Sequence, residues 1–226
     1  RVLFRSTRRS PERARAVLKT LLARLVRSAW SEKAAQARLE GSLAEEAAGQ
    51  LEAAETGYRE LLASQPDRAD LCGLLGNNLV RQRRVEEAVH WLARATHIDA
   101  NVPEAHYMLG GALSSLGRHE EAVRALRAAL ALRRDFPAAL NCLANTLMVA
   151  GRRAEAEAAY LQAHALQPDL GEIAANLATL YMAEGWVSEA LRWYRQAWMA
   201  NPALSEAHGN YVACLNYDDA TTPEDN

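Results

Sequence analysis

One interval governs this chain: residues of one character return every 34 positions. The column Gly76, Gly110, Ala144, Ala178, Val212 keeps that step, as do Leu75, Leu109, Leu143, Leu177, Tyr211 and Leu79, Leu113, Leu147, Tyr181, Leu215. Ala88, Ala122, Ala156, Ala190 and Ala95, Ala129, Ala163, Ala197 add two small columns. Leu92, Leu126, Tyr160, Tyr194 form a large one, and Gly117, Gly151, Gly185 mark a turn in three successive units. A period of this length means a stack of small supersecondary units, each too small to bury a core alone.

Each unit divides at the turn glycine. Before it, Leu109, Gly110 and Leu113 follow the i, i+1, i+4 spacing of a buried helix stripe, and after it Ala122, Leu126 and Ala129 do so again. Glycine between them supplies the left-handed residue that ends a helix. Pro66, Pro168 and Pro202 stop the second helix at unit ends. Each unit is therefore expected to be two antiparallel helices of about a dozen residues. Small residues sit where the helices cross, with Leu or Tyr beside them. Leucine at Gly110 or Ala122 would overpack the crossing at a cost of about 1–3 kcal/mol.

The stretch "AHYMLGGALSSLGRHEEAVRALRAALAL" (105–132) resembles a tetratricopeptide repeat, and 69–102, 103–136, 137–170 and 171–204 align with it without a gap. Residues 35–68 form a degenerate earlier unit. It keeps Gly49, Ala54, Tyr58 and Pro66 in register but has Gly41 where a large residue belongs and Ser42 where a small one does, which puts its first helix in question. In the second unit Arg83 stands in place of the turn glycine and Ala100 in place of the closing proline. The resemblance implies an all-α fold, a right-handed α-solenoid of helix pairs whose first helices line a concave groove.

Outside the five repeats (35–204) the organisation changes. Residues 7–34 read as an N-terminal amphipathic capping helix: Ser10-Pro11-Glu12 is a helix start, and Val17, Leu18, Leu21, Leu22, Leu25, Val26 and Ala29 form one apolar stripe. Residues 1–30 carry nine basic residues and one acid, Glu12. An arginine-rich face could also meet a membrane surface, but a solvated face is the reading taken, with no membrane and no nucleic acid as partners. The first six residues, "RVLFRS", resemble the translated end of a sequencing-library adapter. With no initiator Met, residues 1–6 read as a non-native leader on a translated fragment. Residues 205–217 hold a half repeat, a first helix with Ala207, Asn210, Tyr211, Val212 and Leu215 in register, and 218–226 an acidic linker.

Signals for chemistry are sparse. No apolar run reaches the ~18 residues of a membrane helix, and the n-region, h-region and cleavage-site pattern of a signal peptide is not found in these residues. Cys72, Cys142 and Cys214 form no CxxC pair and read as small core residues in a reduced, cytoplasmic setting. The histidines show no metal spacing, and no nucleophile elbow or phosphate loop occurs, so neither a catalytic residue, a metal nor a cofactor is expected. Glu45-Glu46, Glu86-Glu87 and Glu120-Glu121 read as first-turn acids at helix N-termini. Trp186, Trp193, Trp198 and Tyr194 read as packing in the last full unit.

Asparagine carries the functional signal. Numbering each unit from its first residue, Asn77 and Asn145 occupy position 9, Asn176 and Asn210 position 6, and Asn141 position 5. At ~100° per residue these fall nearly opposite the core stripe. Asparagine is a poor helix former. Its amide both donates and accepts, which suits it to gripping the backbone of an extended peptide whatever the side chains. The lysines of a carboxylate clamp are missing, with Asn141 and Glu206 in their places.

An asparagine-lined first helix resembles the repeat region of O-linked N-acetylglucosamine transferases, in which such asparagines hold the substrate backbone. The stretch "GNYVACLNYDDATTPED" (209–225) resembles the junction of bacterial SPINDLY-like glycosyltransferases, where repeats give way to the catalytic domain. The resemblance implies a region recruiting a protein substrate for a nucleotide-sugar-dependent O-glycosyltransferase whose catalytic domain follows Asn226 in cis. The alternative is a stand-alone repeat adaptor for a protein complex.

Overall fold

The computed structural model describes residues 32–202 and 209–215. Among them run ten helices: α1 (Glu32–Ala47), α2 (Leu51–Ser64), α3 (Ala69–Arg81), α4 (Val85–Ile98), α5 (Pro103–Ser115), α6 (His119–Leu132), α7 (Pro137–Val149), α8 (Arg153–Leu166), α9 (Gly171–Ala183) and α10 (Val187–Ala200). Residues 209–215 add a short helical segment. No strand occurs among the described residues. The leading helix expected over 7–34 lies, up to residue 31, outside them, and so does the linker 218–226.

Consecutive helices pack pairwise, and each pair packs on the next, giving an all-α solenoid. Three residues join the helices of a pair and four join successive pairs. The tight turn has one conformation throughout. Gly49, Arg83, Gly117, Gly151 and Gly185 sit at φ of 79°, 63°, 73°, 75° and 80°. The amide after each reaches back five residues, as in Arg118 N–H to Leu113 O (3.0 Å) and Arg84 N–H to Leu79 O (2.9 Å). This is the Schellman closure of a helix end. Arg83 adopts it without glycine's freedom, at a cost of about 1–2 kcal/mol.

The small columns lie at the crossings. A Cβ on Gly76 would fall 2.6 Å from Leu92 Cγ, and one on Gly110 would fall 2.5 Å from Leu126 Cγ. Branching at Cγ thus demands glycine opposite. Where the large residue is a flat tyrosine, Tyr160 or Tyr194, the same column holds Ala144 or Ala178, both fully buried. Leu71, Leu75, Leu79, Leu92, Leu126, Leu147 and Leu177 are each buried to within 1%, a burial worth about 1.5–3 kcal/mol apiece.

The degenerate first unit is helical after all, and α1 is longer than the other first helices. Its crossing is polar. Gly57 on α2 leaves room for Ser42 Oγ and the Arg38 guanidinium, which a Cβ would meet at 2.1 and 2.4 Å. Arg38 then bridges Glu60 (2.8 Å) and Glu45 (3.3 Å), and donates to Ser42 Oγ (3.1 Å).

Candidate functional site

Successive first helices also pack on one another, α3 on α5, α5 on α7 and α7 on α9. They therefore form the inner face of the array, and positions 5, 6 and 9 of each unit point onto it.

The five asparagines have different surroundings on this face. Asn176 Nδ2 donates to Asn141 Oδ1 at 3.1 Å, tying α9 to α7, and both side chains are half-buried. Asn145 is exposed, and its Oδ1 accepts from the buried Tyr160 hydroxyl. Asn77 is half-buried on α3, its Nδ2 at 3.5 Å from Glu46 Oε1. Asn210 is half-buried on segment 209–215, which lies against α9 through Cys214, whose thiol is 3.2 Å from Met182 Sδ. The structure thus pairs Asn141 with Asn176 directly, while Asn145 and Asn77 each also serve an internal partner.

Toward the N-terminal end this face opens into a cleft of about 690 Å³ between α3 and α5. Leu74, Ile98, Val102 and Met108 make it apolar, and Asp67, Arg68, Asp70 and Asp99 stand at its edge. Arg68 grips Asp70 with both ends of its fork (2.7 and 2.5 Å), and that bond holds the Asp70 carboxyl below the usual carboxylate range.

Two buried carboxylates tie the first pair to the second, and sequence reasoning misplaced one and missed the other. Glu46 is in the last turn of α1 instead of the first turn of a helix. It accepts from the Tyr58 hydroxyl (2.6 Å) and from Arg81 (2.9 Å) of the next unit. Glu55 accepts from Arg59 (2.8 Å), Arg84 (2.6 Å) and Gln82 (2.9 Å). Glu86 and Glu87 do open α4, and Glu120 and Glu121 open α6. Burial, then the bond to Glu46, pushes the Tyr58 hydroxyl far above its ordinary pKa.

The aromatic group in the last pair is only partly packing. Tyr194 is buried and Trp193 meets His164 edge-on at 5.0 Å. Trp186 is 52% exposed, stacked on Tyr181, and Trp198 is 39% exposed. Cys72 and Cys214 are core residues, whereas Cys142 is only half-buried, at position 6 of the inner face. Among the described residues no group of three or more His, Cys, Asp or Glu could hold a metal ion. No helix among them is long and apolar enough to cross a membrane.

Family comparisons agree with this geometry. Residues 45–113 match one tetratricopeptide-repeat family model, and 103–136 and 137–170 match another. The chain belongs to the tetratricopeptide repeat family. Its fold is similar to that of TTC0263, a thermophilic tetratricopeptide-repeat protein of Thermus thermophilus, at 24% identity and TM-score 0.64, over 80% of this chain and 99% of that one. YrrB, described as having an unusual peptide-binding site, is similar at 20% identity and TM-score 0.65, over 76% and 89%. MamA from Desulfovibrio magneticus is similar at 16% identity and TM-score 0.70, over 77% and 98%. These likenesses show the tetratricopeptide fold alone. No curated protein sequence matches the chain.

Proposed function

We propose that the inner face binds an extended polypeptide, with the asparagines holding its backbone. The Asn141–Asn176 pair carries the reading. Their shared bond uses one amide hydrogen of Asn176 and the oxygen of Asn141. Asn141 keeps its donors and Asn176 its acceptor, which together complement the C=O and N–H of a peptide strand. Asn210 continues the row one unit on, in the column of Asn176. The likeness to YrrB, whose name includes a peptide-binding site, supports the same use of the fold. Replacing Asn141 and Asn176 together by Ala is expected to weaken binding of an extended peptide by about 0.5–1.5 kcal/mol per lost bond, with the helical content intact. Titration by fluorescence anisotropy measures this, and unchanged affinity overturns it.

A finer reading makes this the substrate-recruiting region of a protein O-glycosyltransferase whose catalytic domain follows Asn226. It rests on the inner-face asparagines and on the Leu215-Asn216-Tyr217 stretch with its acidic sequel. The stand-alone adaptor is the competing use of the same groove. The coding sequence downstream separates them: continuation into a two-lobed α/β domain supports the first, and an immediate stop codon removes it.

A further inference from the structure

A glycine inside a helix costs about 1 kcal/mol relative to alanine, so each one needs a reason. Four such glycines, Gly73, Gly76, Gly110 and Gly111, lie within α3 and α5. Gly76 and Gly110 have theirs in Leu92 and Leu126. The other two do not. A Cβ on Gly73 would meet nothing nearer than Met108 Cε at 3.6 Å, and one on Gly111 nothing nearer than Cys142 Sγ at 3.9 Å. Both are ordinary contacts, so packing within the chain would accept alanine. Both glycines are on the inner face, and Gly73 forms part of the cleft between α3 and α5. Glycine left where the fold has room for more marks close approach by something else.

The cleft says what that is. Its walls are the aliphatic and thioether side chains of Leu74, Ile98, Val102 and Met108, and its edge carries three carboxylates against one guanidinium. Arg68 is already committed to Asp70 and Gln65. Asp67 and Asp99 are exposed with no cationic partner among the described residues, Asp99 accepting only from the Asn101 amide (2.9 Å).

We propose that this cleft holds one apolar side chain of an extended peptide and that Asp67 and Asp99 select a lysine or arginine beside it. The proposal rests on the reading of the inner face as a peptide groove and adds to it the class of peptide. Apolar burial supplies the anchor. The acidic edge favours basic neighbours and repels acidic ones, the larger effect at low salt. Further along, Gly111 lets the peptide backbone pass close to α5 toward Asn141 and Asn176.

The test uses the full chain and capped synthetic peptides with a central Leu between lysines, with Ala replacing the Leu, or with glutamates replacing the lysines. Binding is read by fluorescence anisotropy at fixed salt, and folding by circular dichroism. The Leu–Lys peptide is expected to bind about tenfold more tightly than its Ala version and tighter still than its Glu version. Gly73→Leu fills the cleft and should weaken the Leu–Lys peptide about tenfold. Gly73→Ala, which the structure accommodates, should weaken it less while raising the melting temperature. Asp67→Asn with Asp99→Asn should erase the preference for Lys over Glu. A folded Gly73→Leu or Gly73→Ala chain that binds as wild type overturns the proposal, as does equal binding of the Lys and Glu peptides. If Asn141→Ala with Asn176→Ala weakens all peptides alike while the Gly73 variants change nothing, the groove stands and the anchor cleft falls. If no peptide binds, both fall.

Discussion

The first and last complete helix pairs share a backbone and differ in what fills it. In the first, the crossing of α1 and α2 holds Arg38, Ser42 and Gly57, and Glu46 and Glu55 reach into the next pair through Arg81, Arg84 and Gln82. In the last, α9 and α10 cross through Ala178 and Tyr194, and α9 meets the preceding pair through Ile173, Leu177 and Leu180. Polar links to the preceding pair exist there too, the Tyr181 hydroxyl donating to Glu157 at 2.7 Å and Arg153 pairing with Glu184 at 3.1 Å, but none holds a buried carboxylate; burial, then the bond to Glu157, pushes the tyrosine up to about 12. A repeat therefore constrains the column and not the chemistry: one 34-residue frame accepts an ionic joint at one end and an apolar joint at the other. The ionic joint is directional and breaks when one member is lost, whereas the apolar one yields in small steps.

Removing Glu46 is the largest lesion this comparison predicts. Glu46→Ala leaves the buried Tyr58 hydroxyl without its acceptor and Arg81 without its anion. With Glu46 only 10% exposed and Arg81 44% exposed, the loss should be about 2–3 kcal/mol. Amide exchange followed by mass spectrometry should show α1 to α3 opening while α7 to α10 keep their protection. Uniform loosening along the chain would contradict the localisation. The matching change in the fourth pair, Tyr160→Phe on α8, removes one hydrogen bond to Asn145 and should cost about 1 kcal/mol.

Acid reaches the same joint less drastically. Burial alone would raise the pKa of Glu55, but bonds from Gln82, Arg59 and Arg84 outweigh it and hold the carboxyl below the ordinary range. Such a group stabilises the fold fully above the ordinary glutamate value of about 4.3. That stabilisation is lost as pH falls through the lower, folded value. Protection in α2 and α3 should therefore decline before that in α9 as the solution is acidified. Glu55→Gln, which has no proton to take up, should abolish the difference. Glu155 has a lowered pKa too, from Arg152, but its carboxylate is 47% exposed and salt screens the pair.

The crossings allow a finer exchange between the two chemistries. Gly110→Ala pushes a Cβ to 2.5 Å from Leu126 Cγ and should cost about 1–2 kcal/mol. Combining it with Leu126→Tyr installs the Ala–Tyr pairing found at Ala144 and Tyr160, and should recover part of that loss. Denaturant melts of the single and double variants give the coupling, and strict additivity would mean the two pairings are not alternatives.

These contrasts mark what the sequence could reveal. The columns were legible because five units repeat one environment, so that Gly76, Leu92 and Ala88 announce the crossing by recurrence alone. The inner-face asparagines were legible for the same reason, since periodicity fixes which face they share. Glu46 and Glu55 were not: the partners that tie them to the next unit, Arg81 and Arg84, are 35 and 29 residues away. Nothing local distinguishes Glu46 in a last turn from an acid opening a helix. Asn145 was legible as an inner-face residue but not as the acceptor for Tyr160, since that bond depends on how far the ring reaches across the crossing. Gly73 was equally hidden. Only the space around it, against the crowding at Gly76, separates a glycine the fold requires from one it merely tolerates.

The smallest predicted effect lies at the one described turn that departs from the common rule, between α3 and α4, where no joint between pairs is involved. Gly49, Gly117, Gly151 and Gly185 take the left-handed turn freely, while Arg83 takes it at φ 63° with an exposed side chain. Arg83→Gly relieves the crowding of Cβ against its own carbonyl, worth about 1–2 kcal/mol. It also gives the unfolded chain more freedom, which takes back part of that gain. The net should be a stabilisation of about 0.5–1 kcal/mol, a rise in melting temperature of about 2 °C for a chain of this size. Because Arg83 takes part in neither the Glu46 nor the Glu55 network, the gain should persist unchanged in the Glu46→Ala background. A gain that vanishes there would mean the turn and the ionic joint are coupled, and that strain at Arg83 helps set the angle at which the second pair meets the first.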